Sequence, residues 1–502
     1  MDKFIGPNTE VVSIKGQYVL PGLIEGHGHF KSLGMNLSRI QLQSTKSYRE
    51  AVHLIAQKAQ SIPKGEWIIG RGWHQNKWSI EPGYKVHGYP SHRLLSSMIP
   101  DHPVYLIHTS GHGILVNKKA MDLAGISSST ISPSGGEILK DVYGNPTGIF
   151  LENAEQLILP FLPEDTPERL EQYILSAQDE CLRNGITSFN DAGADSLLIE
   201  VYKSLYEKGK LKVRLYVMLN GDDPQLLQHY FKFGPVVGAY NDHLFVRSIK
   251  FYIDGALGSR GAWLMRPYSD QSTTVGAPVF LPDSILFWGR EAIKHGFQLC
   301  THAIGTRGNH EILNVLDSLN KIIPASISLR HRIEHAQHIL LKDIDLFKQN
   351  NIIASMQPIH FASDITWAID RLGKDRIRFG SYAWKSFIDN GVCLMAGTDI
   401  PVEPINPFVN MFTMISRRDR NGEYRSWYNR EEAVSPAQAI NSYTMNNAYG
   451  MFMENRLGKI DIGYYADLTI IDRNILDTDP DIANTSVIMT IIDGKIVYKK
   501  EK

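Results

Sequence analysis

The 502-residue sequence has few cysteines and no excess of charge of either sign. Its three cysteines, Cys181, Cys300 and Cys393, lie far apart in the chain. This spacing supports neither a disulfide framework nor a cysteine-based zinc site, and it is typical of a reducing compartment. Lys and Arg number 52 against 53 Asp and Glu, so there is no basic surplus for a nucleic-acid partner.

Long hydrophobic runs are also missing. No segment approaches the ~20 apolar residues of a membrane helix, and the opening MDKFIGPNTE has no apolar core of a secretory signal. The 43% hydrophobic and 21% charged residues are typical of a soluble globular protein. We therefore expect a cytoplasmic protein with a small-molecule substrate and no membrane partner. A single core stops growing near roughly 250–300 residues, so the length predicts more than one domain.

Short apolar runs alternate with helix-like or loop segments along most of the chain. Eight of these runs are candidate strands: residues 22–27, 186–191, 213–219, 246–253, 297–302, 331–335, 352–357 and 392–397. Strands that alternate with helices predict a parallel sheet, and eight of them predict an α/β fold of the (β/α)8 TIM-barrel type. The barrel would comprise residues 21–60 and 165–454.

Two other parts of the chain differ from this rhythm. Residues 61–164 are rich in Gly, Pro and Trp and carry short apolar runs between turn signals, which predicts an α+β insertion. Residues 1–20 and 455–502 contain alternating strands with glycine turns. We expect the two chain ends to form a small β-sheet domain.

Polar residues end several of the predicted barrel strands, where a TIM barrel places its active site. These residues, at or just after the strand ends or in strand four, are His27, His29, Lys250, His302, His335, His360 and Asp399. In His-x-His on a strand both side chains face the same side, so one strand can give two ligands to one ion. Imidazole and carboxylate ligands suit zinc or a similar divalent ion. A buried lysine beside such an ion would have to be neutral, or a carbamate able to bridge two metals.

Each of these residues also has a structural interpretation. The histidines could be hydrogen-bonded core residues, Asp399 could cap a turn, and Lys250 could pair with a carboxylate. Arg260 could bind a substrate carboxylate or hold its own loop. We expect Glu334 to point away from the site, because it alternates with His335 on a strand.

Several long motifs resemble one known superfamily. PGLIEGHGHF at residues 21–30, THAIGTRGNH, RIEHAQ and AGTDIPVEPINPF are similar to motifs of the amidohydrolase superfamily of metal-dependent hydrolases. GEWIIGRGWHQNKW, DHPVYLIHTSGHGILVNKKAM, KFYIDGALGSRGAWL and SMQPIHFASDITWAIDRLG resemble its YtcJ-like branch, amidohydrolase family 3, which includes N-substituted formamide deformylases. The resemblance covers nearly the whole chain.

The resemblance implies a role for each matching position. His27 and His29 would bind a first metal and His302 and His335 a second, Lys250 would be N6-carboxylated, and Asp399 would be both a ligand and the proton shuttle. From its position after strand seven, His360 is a candidate catalytic residue that polarises the substrate carbonyl or binds a leaving group. The insertion would lie over the barrel mouth, and the chain ends would form a β-sandwich. We expect the substrate to contact His112, Arg260, Trp73 and His74.

The sequence departs from the family pattern at three places. Glu25 stands where Asp is usual before the first His-x-His, and His74 stands where Asp is common. The lead into PGLI is also short, which implies a reduced N-terminal part or a longer native start. Oligomers are common in the superfamily, so a homo-oligomer is compatible with the resemblance, although the sequence shows no interface pattern.

These observations predict a metal-dependent hydrolase of a non-peptide C–N bond, such as an N-acyl or N-formyl amine or a cyclic amide. One or two zinc ions would activate a hydroxide for attack on the carbonyl, with Asp399 moving the proton. An ester or lactone hydrolase, or a deaminase, would use the same site. A non-catalytic scaffold or regulatory protein that has kept the barrel is the alternative of another class.

Overall fold

The computed structural model describes residues 5–7, 9, 11–476 and 480–501. Within these residues the chain forms 21 strands: β1 Tyr18–Pro21, β2 Leu23–Gly28, β3 Ile40–Gln41, β4 Ile68–Trp73, β5 Lys85–Val86, β6 Tyr89–Pro90, β7 Val104–His108, β8 Gly113–Val116, β9 Gly136–Lys140, β10 Pro146–Glu152, β11 Ile186–Ala194, β12 Arg214–Asn220, β13 Val236–Gly238, β14 Leu244–Tyr252, β15 Gln298–Ala303, β16 Arg332–His335, β17 Ile353–Met356, β18 Leu394–Ala396, β19 Leu468–Ile471, β20 Val487–Ile492 and β21 Lys495–Lys499.

The same residues form 17 α-helices: α1 Phe30–Ser38, α2 Tyr48–Ala59, α3 Arg93–Met98, α4 Lys118–Leu123, α5 Pro167–Arg183, α6 Ser196–Glu207, α7 Pro224–Phe233, α8 Ala239–Asp242, α9 Pro282–Lys294, α10 Thr306–Ile322, α11 Ile344–Gln349, α12 Pro358–Leu372, α13 Lys374–Arg378, α14 Trp384–Asp389, α15 Pro407–Ser416, α16 Pro436–Ser442 and α17 Met445–Gly450. No helix in the described ranges is long and apolar enough to cross a membrane.

Eight parallel strands form the main sheet, in the order β2, β11, β12, β14, β15, β16, β17, β18. They correspond one to one with the eight predicted runs, and their side chains are almost all buried. Helices such as α5, α6, α9 and α10 lie between them in sequence and bury an apolar face. The predicted TIM-barrel fold is therefore confirmed.

The first and last barrel strands meet at a seam that is closed by individual hydrogen bonds. The Asp399 amide donates to the His27 carbonyl at 2.8 Å, and the His29 amide donates to the Ile400 carbonyl at 2.8 Å. Below them the Asn447 side chain donates to the Ile24 and Ala396 carbonyls at 2.5 and 2.9 Å. The seam fixes Asp399 relative to the His-x-His pair.

A separate antiparallel sheet joins the two chain ends, in the order β1, β19, β20, β21. Among the described residues it is a single four-stranded sheet. It is tied to the barrel where Thr490 donates to the Leu182 carbonyl at 2.7 Å and Thr469 donates to the Gly185 carbonyl at 2.6 Å. The sheet belongs to the same compact unit as the barrel, Met1–Gly34 with Leu170–Lys502.

A second compact unit comprises Met35–Arg169. It contains a six-stranded sheet in the order β3, β4, β7, β8, β10, β9, with parallel and antiparallel neighbours. The apolar face of α2 packs in its core with Ile68 and Val104. The unit has the predicted α+β character, and it begins earlier in the chain than the insertion predicted for residues 61–164.

Candidate metal centre

Five barrel elements bring the predicted polar residues to one place. His27 lies on β2, with His29 just beyond it. Lys250 lies on β14, His302 on β15 and His335 at the end of β16. Asp399 follows β18 and has a φ of 59°, in the left-handed region. All of these side chains line one cavity of about 410 Å³.

The ligand atoms in this cavity are close enough to share an ion. The Asp399 carboxylate oxygen Oδ1 lies 3.2 Å from His29 Nε2 and 3.7 Å from His27 Nε2. These three residues offer ligand atoms within 4.8 Å of one another. The imidazole rings of His302 and His335 lie 4.4 Å apart, and those of His27 and His335 5.1 Å apart, measured between centroids.

Hydrogen bonds to Nδ1 orient three of the four histidines. His27 Nδ1 contacts Glu334 at 2.6 Å, His29 Nδ1 contacts the Ala192 carbonyl at 3.0 Å, and His335 Nδ1 contacts Gln357 at 2.6 Å. Such partners fix the tautomer and leave Nε2 as the nitrogen that can bind an ion, as is usual for histidines that bind metals. His302 Nε2 is buried and has no hydrogen-bond partner in the part of the chain that the structure describes. The donor set therefore fits a divalent ion.

Burial keeps most of these imidazoles neutral. Desolvation, with the Lys250 charge as the next cause, lowers the pKa of His27 to about 4 and that of His302 to about 3. Burial also lowers the pKa of His335 well below its ordinary range. His29 differs, because burial lowers its pKa but the hydrogen bond to Asp399 and the charge of that carboxylate together outweigh burial and raise the pKa. Neutral imidazole is the form that binds a metal ion.

Lys250 lies inside this cluster rather than in an ion pair. Its side chain is almost fully buried, and Nζ lies 3.3 Å from His27 Nε2. Burial lowers the pKa of the Lys250 amine. No carboxylate lies within salt-bridge distance of Nζ among the described residues. A neutral amine at this position is the form that reacts with CO2, as the carbamate interpretation requires.

Asp399 and His360 face each other across the cavity. His360 lies in the first turn of α12, and its Nε2 lies 3.8 Å from Asp399 Oδ2. Burial would raise the pKa of Asp399, but the hydrogen bond from His29 and the nearby histidines lower it well below its ordinary range. Asp399 is therefore a carboxylate at neutral pH. His360 Nε2 is buried without a hydrogen-bond partner among the described residues.

The expectation that Glu334 points away from the site is wrong. Its carboxylate lies between His27 Nδ1, at 2.6 Å, and Arg332 Nε, at 2.7 Å. The strand alternation ends here because His335 and Ala336 have φ angles of 74° and 41°. Glu334 and His335 can therefore both face the barrel interior. Glu334 therefore holds His27 in position and does not lie on the outer face of the sheet.

The predicted substrate residues of the insertion lie together in the second unit. Trp73, His108 and His112 line one cavity of about 330 Å³. Trp73 is almost fully buried and donates to the Leu106 carbonyl at 2.9 Å. His74 packs against His108, with ring centroids 4.7 Å apart, and His112 contacts Glu152 at 3.2 Å. Substrate contacts by these residues stay a prediction.

The Arg260 side chain forms an ion pair within the loop that follows β14. Its guanidinium pairs with Asp270 at 2.8 Å, and Arg371 pairs with the same carboxylate. Arg260 has a φ of 60°, in the left-handed region, which suits a tight turn. This is the geometry of the interpretation in which Arg260 holds the loop after β14.

The sequence interpretation missed several carboxylates near the metal centre. Asp254 accepts hydrogen bonds from the Trp263, Ile304 and Gly305 amides at 2.7–2.9 Å, and burial raises its pKa to about 7. It ties together the loops after β14 and β15. Asp364 and Glu403 line the same cavity as the histidines. The motif IDGALGSRGAW contains Asp254, but the pattern alone does not show that one carboxylate binds two loops.

Two known proteins are similar to this chain along nearly its whole length. YtcJ of Bacillus subtilis (strain 168) is 29% identical over 505 residues, which cover 99% of this chain and 92% of that protein. The N-substituted formamide deformylase of Arthrobacter pascens is 25% identical and covers 98% of this chain and 91% of its own.

A solved structure shares the architecture. The crystal structure of an uncharacterized metal-dependent hydrolase from Pyrococcus horikoshii OT3 matches with a TM-score of 0.77 and 26% identity, over 93% of this chain and 89% of that one. The model of the "Amidohydrolase family" matches residues 10–498. Because that match covers nearly the whole sequence, the chain belongs to the amidohydrolase family.

Proposed function

We propose that the protein is a metal-dependent hydrolase of non-peptide C–N bonds, acting on an N-acyl or N-formyl amine or a cyclic amide. The observation that carries this proposal is the cluster of His27, His29, His302, His335 and Asp399, with Lys250 among them, in one cavity. The names of two relatives, a formamide deformylase and a metal-dependent hydrolase, support the same chemistry. Zinc suits this ligand set best.

The proposed ligands form two groups. His27 and His29 would hold one ion, His302 and His335 a second, with Asp399 on the first and a carboxylated Lys250 between them. A bound divalent ion supplies Lewis-acid activation, lowering the pKa of water from about 15.7 to about 7 and polarising a carbonyl.

The chain's own residues supply the proton transfers. Asp399 is anionic and lies within 3.2 Å of His29, so it can accept a proton from the attacking water. It then returns that proton to the departing nitrogen, which leaves poorly as an anion. His360 Nε2, 3.8 Å from Asp399, is placed to hydrogen-bond the substrate carbonyl or the leaving group.

A metal analysis combined with a substrate panel tests this proposal. The purified protein is incubated with N-formyl amines, N-acyl amines, cyclic amides, esters and lactones, and amine or acid release is measured. We expect amide turnover that is lost after chelation and restored by Zn²⁺. Turnover of esters or lactones alone would instead favour the alternative hydrolase, and a metal-free protein inert with added zinc would favour the scaffold.

A matched pair of variants locates the activity. His335→Asn removes a proposed ligand, whereas His229→Asn makes the same change on the exposed face of α7 in the same unit. We expect His335→Asn to lose bound metal and nearly all turnover, and His229→Asn to keep both. Asp399→Asn should reduce kcat by about 10²–10⁴-fold, the range for a positioned general acid–base.

A further inference from the structure

One wall of the metal-centre cavity carries a carboxylate that the proposed mechanism does not use. Asp364 lies on α12, four residues after His360, so the two side chains share one helix face about 5–6 Å apart. Both line the cavity together with Trp367 and Leu257. A substrate held at His360 therefore has room to extend toward Asp364.

Asp364 has only weak neutral partners. Gln337 Nε2 and the Tyr382 hydroxyl each lie 3.5 Å from its Oδ2, and the Ser363 hydroxyl lies 3.3 Å from its Oδ1. No lysine or arginine pairs with Asp364 among residues 11–476 and 480–501. Burial raises the pKa of Asp364, and the charges of His360 and Arg420, which act in the opposite direction, do not offset the lost hydration of the carboxylate.

A second carboxylate, that of Glu403, lines the same cavity and serves as a comparison for Asp364. Glu403 is 5% exposed, and both of its oxygens have partners. The Ser363 hydroxyl donates to Oε1 at 2.6 Å, and Arg420 pairs with Oε2. Glu403 is therefore neutralised from within the chain, whereas Asp364 is not. Of these two carboxylates, Glu403 forms an ion pair with Arg420, and Asp364 forms no ion pair with Lys or Arg among the described residues.

Apolar side chains line the same cavity as the two polar groups. Leu257 is 2% exposed, and Trp367 lies one turn after Asp364 on the same helix. Gly258 approaches the Trp367 ring so closely that a Cβ there would lie 3.3 Å from it. His360 Nε2, in a residue that is 8% exposed, is buried without a hydrogen-bond partner in the described residues. The cavity thus offers an imidazole nitrogen without a hydrogen-bond partner, apolar wall residues and a carboxylate that forms no ion pair with Lys or Arg among the described residues.

We propose that the substrate carries a second, protonated amino group on a short alkyl stem, and that Asp364 is the specificity-determining residue that binds it. The stem packs along Trp367 and Leu257 while the amide lies at the metal centre. This inference rests on the proposed function for the position of the amide. Asp364 takes no part in bond cleavage, and its role is to select an amide of a diamine over a neutral amide of equal length.

Binding of non-hydrolysable probes tests the selection without any turnover. N-(4-aminobutyl)methanesulfonamide carries the ammonium group, and N-pentylmethanesulfonamide replaces it by a methyl group. Calorimetric titration of the zinc-loaded protein should show about 10–100-fold tighter binding of the ammonium probe, the range for a hydrogen bond to a charged group. Equal affinities would overturn the proposal.

Variants assign any preference to Asp364. Asp364→Asn keeps the shape and removes the charge, and Asp370→Asn makes the same change at an exposed position of the same helix. We expect the affinity ratio to fall to within about twofold of unity in Asp364→Asn and to stay unchanged in Asp370→Asn. An unchanged ratio in Asp364→Asn would contradict the assignment. Asp364→Ser, checked for the same melting temperature as the parent, provides a second test.

Kinetics on the matching formamides separates this inference from the proposed function. kcat/KM is measured for mono-N-formyl-1,4-diaminobutane and for N-pentylformamide. If both are hydrolysed equally, the proposed function stands and the selection by Asp364 is refuted. If neither is hydrolysed but the sulfonamide ratio depends on Asp364, the recognition site stands and formamide hydrolysis is refuted.

Discussion

The seam between β2 and β18 gives the sharpest test of how the barrel positions its site. Asn447, on α17, is fully buried, and its amide nitrogen donates to the Ile24 and Ala396 carbonyls. These carbonyls belong to the first and last barrel strands. Asn447→Ala removes both hydrogen bonds and leaves a small void beside Gly26, whose Cβ position lies 2.4 Å from the Ala396 carbonyl oxygen.

The expected loss follows from the two unpartnered carbonyls. A buried polar group left without its partner costs about 1–3 kcal/mol, so the loss of both hydrogen bonds in Asn447→Ala should destabilise the protein by about 2–6 kcal/mol. Loosening of the seam should also move Asp399, which lies three residues beyond Ala396. The Asp399 amide donates to the His27 carbonyl across the same seam. We therefore expect kcat to fall together with stability, while the affinity for substrate changes less.

Urea unfolding of the metal-loaded protein, followed by tryptophan fluorescence, measures the stability change. Asn441→Ala, at an exposed position of α16, is the control and should stay within about 0.5 kcal/mol of the parent. If Asn447→Ala unfolds within the same 0.5 kcal/mol, the seam does not depend on this side chain and the reasoning is refuted.

Three further predictions concern the metal centre and the core beneath it. Lys250→Ala should lower the zinc content from two ions to one per chain by mass spectrometry, and an unchanged content would exclude a bridge by Lys250. Glu334→Gln should weaken zinc binding by about 10–100-fold in a chelator competition, because the orientation of His27 is lost. Burial lowers the pKa of His331 from 6.5 to about 3, so its stabilising contribution is present above pH 6.5 and is lost as the pH falls toward 3. The stability difference between the parent and His331→Asn should therefore change by about 1.4 kcal/mol per pH unit below pH 6.5, and equal slopes in thermal unfolding at several pH values would contradict this.

Much of the barrel could be predicted because burial on both faces makes each strand a short apolar run. The run predicted at residues 352–357 is observed as Ile353–Met356, and the run at 186–191 as Ile186–Ala194. The same logic placed His302 and Asp399 at strand ends, since a parallel barrel collects those ends at one mouth. Their roles as ligands remain proposals that the metal analysis tests.

Features that depend on local backbone geometry or on cavity shape could not be predicted from the sequence. Glu334 was misplaced because alternation assumes extended backbone, and the positive φ of His335 breaks it. The sequence did not identify Asp364 as a site residue, because a carboxylate on a helix looks the same in sequence whether it faces solvent or a cavity. The start of the second unit could not be predicted either, because the amphipathic pattern of α2 does not reveal which core the helix packs against.

The order of strands and helices and the chemical identity of the residues at the strand ends could be inferred without a structure. Apolar periodicity and residue type are local properties that can be read from the chain. Three contacts required the folded structure: Glu334 holds Nδ1 of His27, Asn447 closes the seam, and Arg420 pairs with Glu403 rather than with Asp364. These contacts join residues up to 423 positions apart, and they arise only when barrel closure brings distant segments within hydrogen-bond distance.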